Sequence, residues 1–454
     1  MFSAKPGRWD FSFRRFSRSC ALVKRSPLLP IFLVVLVDVL GFTIVYPLLP
    51  FYAEHFDATP LVATTLVSVY AVCSLISTPV IGRLSDQFGR RRLLLLSQAG
   101  TCAGFIVLGC ANGLKMLFLG RILDGLTAGN LSTAQAYISD HTQPQDRAKA
   151  FGVIGIAFGI GFFFGPAMAG WLQAYGLQIP FVVAACLSVG SMICTYTLLE
   201  PGAPKILGAD GAPAVAAVTG PGGKRPGLFD LDVYLEYFRR PGLGALYLQF
   251  FLFAFSFSAF MSGFALFAEQ QFAWTAREVG YLFAYWGCLG ISLQGGILGR
   301  LVKRFGEARL VLVGFMAVLI AYTTLGFATV AVLVVVSTIA SFGNGVLRPV
   351  ITSLLTQRVG RHEQGVALGI SGSLNSLAMT LAPPTGGFLL NHALLNHAWL
   401  VAWALVPATA AAFGLIVVLS GRSSQSSQAD TAPATAVQSS HEAGSIDGRR
   451  VGGR

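Results

Sequence analysis

Twelve apolar stretches, each about the 20 residues that a helix needs to cross the hydrocarbon core of a bilayer, recur along this chain. They run over 28–52, 61–82, 93–112, 116–138, 149–172, 179–199, 242–268, 279–300, 308–328, 330–356, 364–390 and 397–420, separated by short polar or Gly/Pro-containing turns. Lipid offers no hydrogen-bond partners to exposed backbone, so only helices and closed barrels span it. Barrel strands are segments of about ten alternating residues, whereas these runs are longer and mostly continuous. The chain therefore reads as an all-α membrane protein with twelve transmembrane helices. Its composition agrees: 54% of residues are hydrophobic and 11% charged, against about 25% charged in soluble domains.

Positive charge near helix ends is retained on the cytosolic side, so Lys and Arg report orientation. Of the 32 basic residues, 28 fall in the N-terminus, the 83–92 turn, the loop with Arg147 and Lys149, the 200–241 segment, the 300–309 turn, Arg358 with Arg361, and the C-terminal tail. The opposite loops hold only Lys115 and Arg277, while Arg121 and Arg348 lie inside stretches. This places both termini in the cytosol and accounts for the net charge of +12 without a nucleic-acid partner. The basic N-terminus lacks a small-residue cleavage site and precedes a full-length apolar run, so no cleaved signal is expected. In a bacterial host the membrane would be the inner, cytoplasmic one. The expected organisation is a basic N-terminus (1–27), a six-helix bundle (28–199), a cytosolic linker (200–241), a second six-helix bundle (242–420) and a flexible tail (421–454). Six of the seven cysteines sit in apolar runs without metal-ligand spacing, which points to packing; no metal and no cofactor are expected.

The halves repeat. Gly82-Arg83-Leu84-Ser85-Asp86-Gln87-Phe88-Gly89-Arg90-Arg91-Arg92-Leu93 aligns with Gly299-Arg300-Leu301-Val302-Lys303-Arg304-Phe305-Gly306-Glu307-Ala308-Arg309-Leu310, with seven of twelve positions identical at a spacing of 217 residues. Two six-helix halves joined by a linker produce such a pattern, the parallel repeat of one large transporter class. The stretch Gly82 to Arg92 resembles the signature loop of the major facilitator superfamily. Further segments resemble its drug/proton antiporter branch, especially the tetracycline/proton antiporters: Asp38 and Gly41 in the first stretch with Tyr46-Pro47-Leu48-Leu49-Pro50 at its end, Gly120-Arg121-Ile122-Leu123-Asp124-Gly125 in the fourth, and Leu381-Ala382-Pro383-Pro384 in the eleventh. The fifth stretch, with Gly155, Gly159, Gly161, Gly165-Pro166 and Gly170, resembles the antiporter motif. The resemblance implies two six-helix bundles around a central cavity, alternating access, a gating role for Gly82, Arg83, Asp86, Gly89, Arg90 and Arg91, and help in proton coupling from Arg121. Asp124 departs from the small or apolar residue more usual after that arginine, and Lys303 stands where the first loop has Asp86.

A charged side chain at bilayer depth costs at least about 2.5–3.5 kcal/mol, which makes Asp38, Arg121, Asp124 and Arg348 functional candidates that should face protein or a cavity. Arg121 and Asp124, three apart, share a helical face with Ala128 and Gln135. Asp38 is the candidate proton carrier, because the proton affinity of a carboxylate changes with its exposure and pairing; the simpler alternative is an aspartate tying helices together. Gly155, Gly159, Gly165 and Gly170 remove bulk for close packing, and Pro166 interrupts the backbone ladder and should bend the helix. Candidates for a substrate cavity are Tyr46, Gln135, Gln249, Trp286, Gln294, Asn344, Arg348 and Asn375, any of which also has a plain packing reading. Trp399 and Trp403 read as interfacial anchors.

There is no Walker loop, no Cys/His cluster and no nucleophile elbow, so the chain does not read as an enzyme and its energy should come from an ion gradient. The expected partners are a small-molecule substrate, protons and membrane lipid, with the protein expected to act as a monomer. Proton-coupled efflux of a small amphipathic, tetracycline-like compound is the leading reading. Uptake or exchange of a metabolite such as an organic anion, with Arg348 as its partner, and a non-transporting membrane scaffold or sensor remain open.

Overall fold

The computed structural model describes residues 28–141, 147–199, 231–360, 363–393 and 398–430. The first half comprises α1 (Leu28–Val45), α2 (Leu49–Glu54), α3 (Pro60–Phe88), α4 (Arg90–Gly109), α5 (Leu114–Leu126), α6 (Asn130–His141), α7 (Arg147–Leu172) and α8 (Ile179–Leu198). A short helix, α9 (Leu231–Arg239), precedes the second half: α10 (Leu243–Phe272), α11 (Ala276–Ser292), a π-helical turn (Leu293–Ile297), α12 (Leu298–Phe305), α13 (Glu307–Leu325), α14 (Val330–Gln357), α15 (Gln364–Ala393) and α16 (Ala398–Asp430). Among the described residues ten helices are long and apolar enough to cross a bilayer. The two further spans of the expected twelve are α1, an apolar helix continued across a turn by α2, and the broken pair α5/α6.

Sequence sets the breaks. Pro47 lacks a backbone donor, and the first span turns at Tyr46–Leu48 before restarting as α2. In the fourth span, predicted continuous over 116–138, the helix stops at Thr127–Gly129. Hydroxyls of adjacent helices take up the freed groups: Ser77 donates to Gly125 O at 2.7 Å, Thr78 to Ala128 O at 2.7 Å, Ser97 to Thr127 O, and Gly129 N–H to Ser97 Oγ at 2.9 Å. Such rescue is what lets irregular backbone exist at membrane depth. Because the helix is interrupted, Gln135 on α6 does not continue the face of Arg121 and Asp124, which corrects the expectation from spacing.

The 83–92 turn is also tighter than expected. Residues through Phe88 extend α3, and the chain reverses at Gly89 alone, whose φ of 93° is open to glycine. Gly306 makes the same turn between α12 and α13 with φ 75°, so the sequence repeat is a repeat of backbone conformation. Two further segments are helical beyond the sequence reading. The 200–241 linker contains α9, docked by buried Tyr237 and by Arg240, which holds Glu363 at 2.9 and 3.1 Å. The last helix continues to Asp430, past the expected start of the tail at 421, since no proline follows within that stretch. Pro166 sits inside α7 without ending it.

Within each half the helices pack on one another, α1 on α7 and α8 in the first, α10 on α14, α15 and α16 in the second. The halves meet along two helix pairs, α7 with α11 and α3 with α15. Under the repeat each pair maps onto the other, as the second and fifth spans correspond to the eighth and eleventh.

Candidate proton-coupling and substrate site

The two seams are closed at one end and open at the other. At the end away from the basic turns, a Cβ on Gly280 would overlap the Pro166 carbonyl and one on Gly287 the backbone of Phe162 and Phe163, while Gly170 lies against Arg277. Gly387 of α15 is pressed likewise on Leu61 and Thr64 of α3. Towards the basic turns Gly82, Gly155, Gly295, Gly299, Gly369 and Gly372 have open space around them. The molecule is thus splayed at its basic end. At the closed end, the carboxyl of Glu54 on α2 faces that of Glu269 on α10.

The first half contains a polar cluster in which Arg121, Asp124 and Gln98 are buried and Asp38 is half-buried. Arg121, 2% exposed, binds Asp124 at 3.0 Å and stacks its guanidinium 4.3 Å over the Tyr70 ring. Asp124 is also buried, and α4 approaches it closely because Gly104 has no side chain. Asp38, in α1, faces Ser191 of α8 and Gln98 of α4, and Gln98 donates to Ser191 at 2.7 Å. Two buried acceptors here have no donor, Asp38 Oδ1 and Gln98 Oε1. Of the candidates, the structure therefore brings Asp38, Arg121 and Asp124 together. Tyr46, expected at the cavity, is buried and lines a narrow gap with Phe42, Phe105 and Arg121. Gln98, Ser191 and Tyr70 were missed: Gln98 stood out as an amide in an apolar run, while Ser191 and Tyr70 gave no signal.

α7 is held from two sides. Gly161 and Gly165 admit Val39 and Thr43 of α1, and Thr43 donates to Gly161 O at 2.9 Å, while Gly159 and Gly170 face α11. Gly155 meets nothing within 4 Å. In the gate turn, Arg90 donates to Ser85 at 2.5 Å, and Arg91 donates to Tyr196 O with its charge 4.7 Å from that ring. Arg83 is exposed, and the Asp86 side chain falls outside the described residues.

The second half differs in kind. An aromatic group of Phe260, Phe264, Phe283, Trp286 and Tyr322 has ring centroids 4.7–5.7 Å apart. Asn344 donates to Tyr322 at 3.0 Å, and one turn on, Arg348 donates to Asn375 of α15 at 2.9 Å. Trp286 Nε1 and Asn344 Oδ1 are buried without partners. Gln294, within the π-turn, is exposed, as is Gln135 on α6. Gln249 is 7% exposed, packed inside the second half instead of facing the cavity, because α10 is surrounded by α14, α15 and α16. Trp403 is fully buried, stacked 5.0 Å from Phe267, and is a core residue instead of an interfacial anchor. Among the described residues no group of three His, Cys, Asp or Glu is placed to hold a metal.

The comparisons agree with this architecture. The chain is 29% identical over 371 residues to the class B tetracycline resistance protein of Escherichia coli, covering 80% of this chain and 88% of that one. It is 25% identical over 362 residues to multidrug resistance protein 2 of Bacillus subtilis (strain 168), covering 79% and 87%. The crystal structure of the human organic anion transporter MFSD10 (TETRAN) superposes with a TM-score of 0.66 at 23% identity, over 87% of this chain and 99% of that one, a likeness of fold. The family model described as Major Facilitator Superfamily matches residues 31–298 and 292–442. Two repeated bundles meeting at paired seams, splayed at one end and matched by that family along nearly their whole length, make this chain a member of the major facilitator superfamily, a multi-pass membrane transporter.

Proposed function

We propose that this protein exports small amphipathic organic molecules in exchange for protons by alternating access, with both termini in the cytosol and, in a bacterial host, in the cytoplasmic membrane. The observation that carries the reading is the polar cluster of the first half, with Arg121 and Asp124 buried and Asp38 Oδ1 out of contact with solvent. Arg121 and Asp124 neutralise each other, which leaves Asp38 as a carboxylate whose Oδ1 is buried beside an equally partnerless Gln98 Oε1. One proton on Asp38 makes the cluster electrically neutral and supplies the missing donor. Losing that proton inside a dry cluster leaves an uncompensated charge, so release requires that the surroundings rearrange. The relatives named for resistance to tetracycline and to multiple drugs support export as the direction.

In this reading the splayed basic end is the cytosolic mouth through which substrate enters, and the glycine-lined seams are where the halves rock. Gly82, Arg83, Asp86, Gly89, Arg90 and Arg91 act as the gate at the cytosolic face, and the spans of 28–199 and 242–420 move as the two bodies. The protein works as a monomer and carries out no covalent step.

The test uses purified protein in liposomes with an imposed proton gradient and tetracycline or a cationic dye as substrate, an interior dye reporting pH. Uphill substrate movement coupled to counterflow of protons is expected for the wild type. Asp38→Asn should abolish uphill accumulation while downhill exchange persists. Full uphill transport by that variant, with an unchanged dependence on the gradient, would sink the reading.

A further inference from the structure

In the second half, Arg348 is the only Asp, Glu, Lys or Arg that the described residues place deep within a span; Glu269, Arg277 and Glu278 lie at one end, and Arg300, Lys303, Arg304, Glu307, Arg309 and Arg358 at the other. It lies nine residues from the end of α14 at Gln357, which at 1.5 Å per residue is about 14 Å into the molecule from the basic end. Its side chain is exposed and bonds Asn375 of α15, the helix that packs on α3 of the other half. It therefore borders an internal space that communicates with the splayed end, not the lipid.

Its recorded partner is neutral. Asn375 Oδ1 accepts from the guanidinium at 2.9 Å, and the Asn375 amide nitrogen reaches only the Met379 sulfur, at 3.5 Å, a weak acceptor. The contrast with Arg121 is direct: that guanidinium has Asp124 at 3.0 Å and an aromatic face beneath it. A cation kept at this depth without a counter-charge is costly unless water or an anion fills the site. The forked geometry of a guanidinium beside a side-chain amide suits an oxyanion, which accepts two parallel bonds from the arginine. The aromatic group that includes Trp286 and Tyr322 adjoins this polar corner through Asn344, one turn from Arg348.

We infer that Arg348 and Asn375 form an anion subsite in the wall of the central cavity, so that the transported molecule carries an ionised oxygen group, such as a carboxylate or an enolate, joined to an apolar ring body. Arg348 supplies the charge and Asn375 orients it and adds a donor. This rests on the reading of that cavity as the substrate path, and it names the substrate class.

The test compares 2-naphthoate with its uncharged carboxamide, 2-naphthamide, binding to the purified full chain in detergent by calorimetry, with no gradient imposed. The wild type should bind the carboxylate at least about tenfold more tightly than the amide. Arg348→Gln should erase that preference, chiefly by weakening the carboxylate, and an unchanged gel-filtration profile and thermal midpoint show that the variant is folded. Arg348→Lys should retain part of the preference, and Asn375→Ala should reduce it without removing the charge. Equal binding of the two probes by the wild type, no binding of either, or an undiminished preference in Arg348→Gln overturns the subsite. The measurement involves neither protons nor translocation, so a failure of proton-driven export leaves this result standing, and export of uncharged compounds without a carboxylate preference would overturn the subsite alone.

Discussion

The two halves repeat in sequence and in turn geometry, but they treat buried charge in opposite ways. The first half closes the buried Arg121 and Asp124 on each other beneath Tyr70 and sets the half-buried Asp38 beside them, its Oδ1 out of contact with solvent. The second half leaves Arg348 open, one turn from an aromatic wall, with a neutral amide as its partner. A pseudo-symmetric fold has thus diverged into one bundle whose charges compensate internally and another that exposes a charge to the cavity. A tightly packed cluster admits a small, mobile ion such as a proton, and an open arginine is available to a solute. Division of labour follows from packing, since the backbone plan of the halves is shared.

Deleting the two arginines separates the halves most sharply. Arg121→Ala strands Asp124 in a dry interior and should cost about 3–5 kcal/mol of stability, seen as a lowered thermal midpoint in detergent. Arg348→Ala removes a solvated side chain and should cost less than about 1 kcal/mol. Similar losses at both sites would break the comparison.

The seam between the halves offers a second contrast along a single span. Gly287→Leu places a side chain against Phe162 and Phe163 where the backbones touch, and overpacking of about 1–3 kcal/mol should shift the population away from the form open at its basic end. Gly295→Leu, two turns on in open space, should leave that form in place and hinder its closure. Spin labels at Asp57→Cys and Gln271→Cys, in a background without the native cysteines, report the distance across the closed end in each variant.

The smallest effect belongs to Glu54 and Glu269. Two facing carboxyls attract through a shared proton and repel once both ionise, so this contact weakens as pH rises. The same pair of spin labels should show the closed end loosening progressively with that rise, and Glu54→Gln should flatten the dependence. A profile unchanged in Glu54→Gln would assign the response to another group.

Much of this was legible beforehand for a physical reason. A bilayer charges a heavy penalty for unpaired backbone and for charge, so apolar runs mark the spans and isolated ionic residues mark the sites. Asp38, Arg121, Asp124 and Arg348 stood out on that ground, and the repeated Gly82–Leu93 and Gly299–Leu310 turns announced the two bodies. What escaped were contacts made through residues that cost little to bury. Ser191 and Tyr70 resemble any other serine or tyrosine in an apolar run until another helix brings Asp38 or Arg121 to them. Gln249 and Trp403 misled for the converse reason: a polar or aromatic residue in a span can face a cavity, lipid or another helix, and periodicity alone does not choose among these.

The sequence by itself determined the all-helical membrane architecture, the repeat and the identity of the embedded charges, because these follow from local composition against a uniform solvent. Only the tertiary structure decided which charges meet, where the fourth span breaks, and which end of the seam is closed. Those outcomes depend on the approach of helices distant in the chain, as when Ser77, Thr78 and Ser97 take over the backbone bonds that Thr127–Gly129 release. The pairing of Arg121 with Asp124 and the exposure of Arg348 arise in the same way, from the space that neighbouring helices fill or leave.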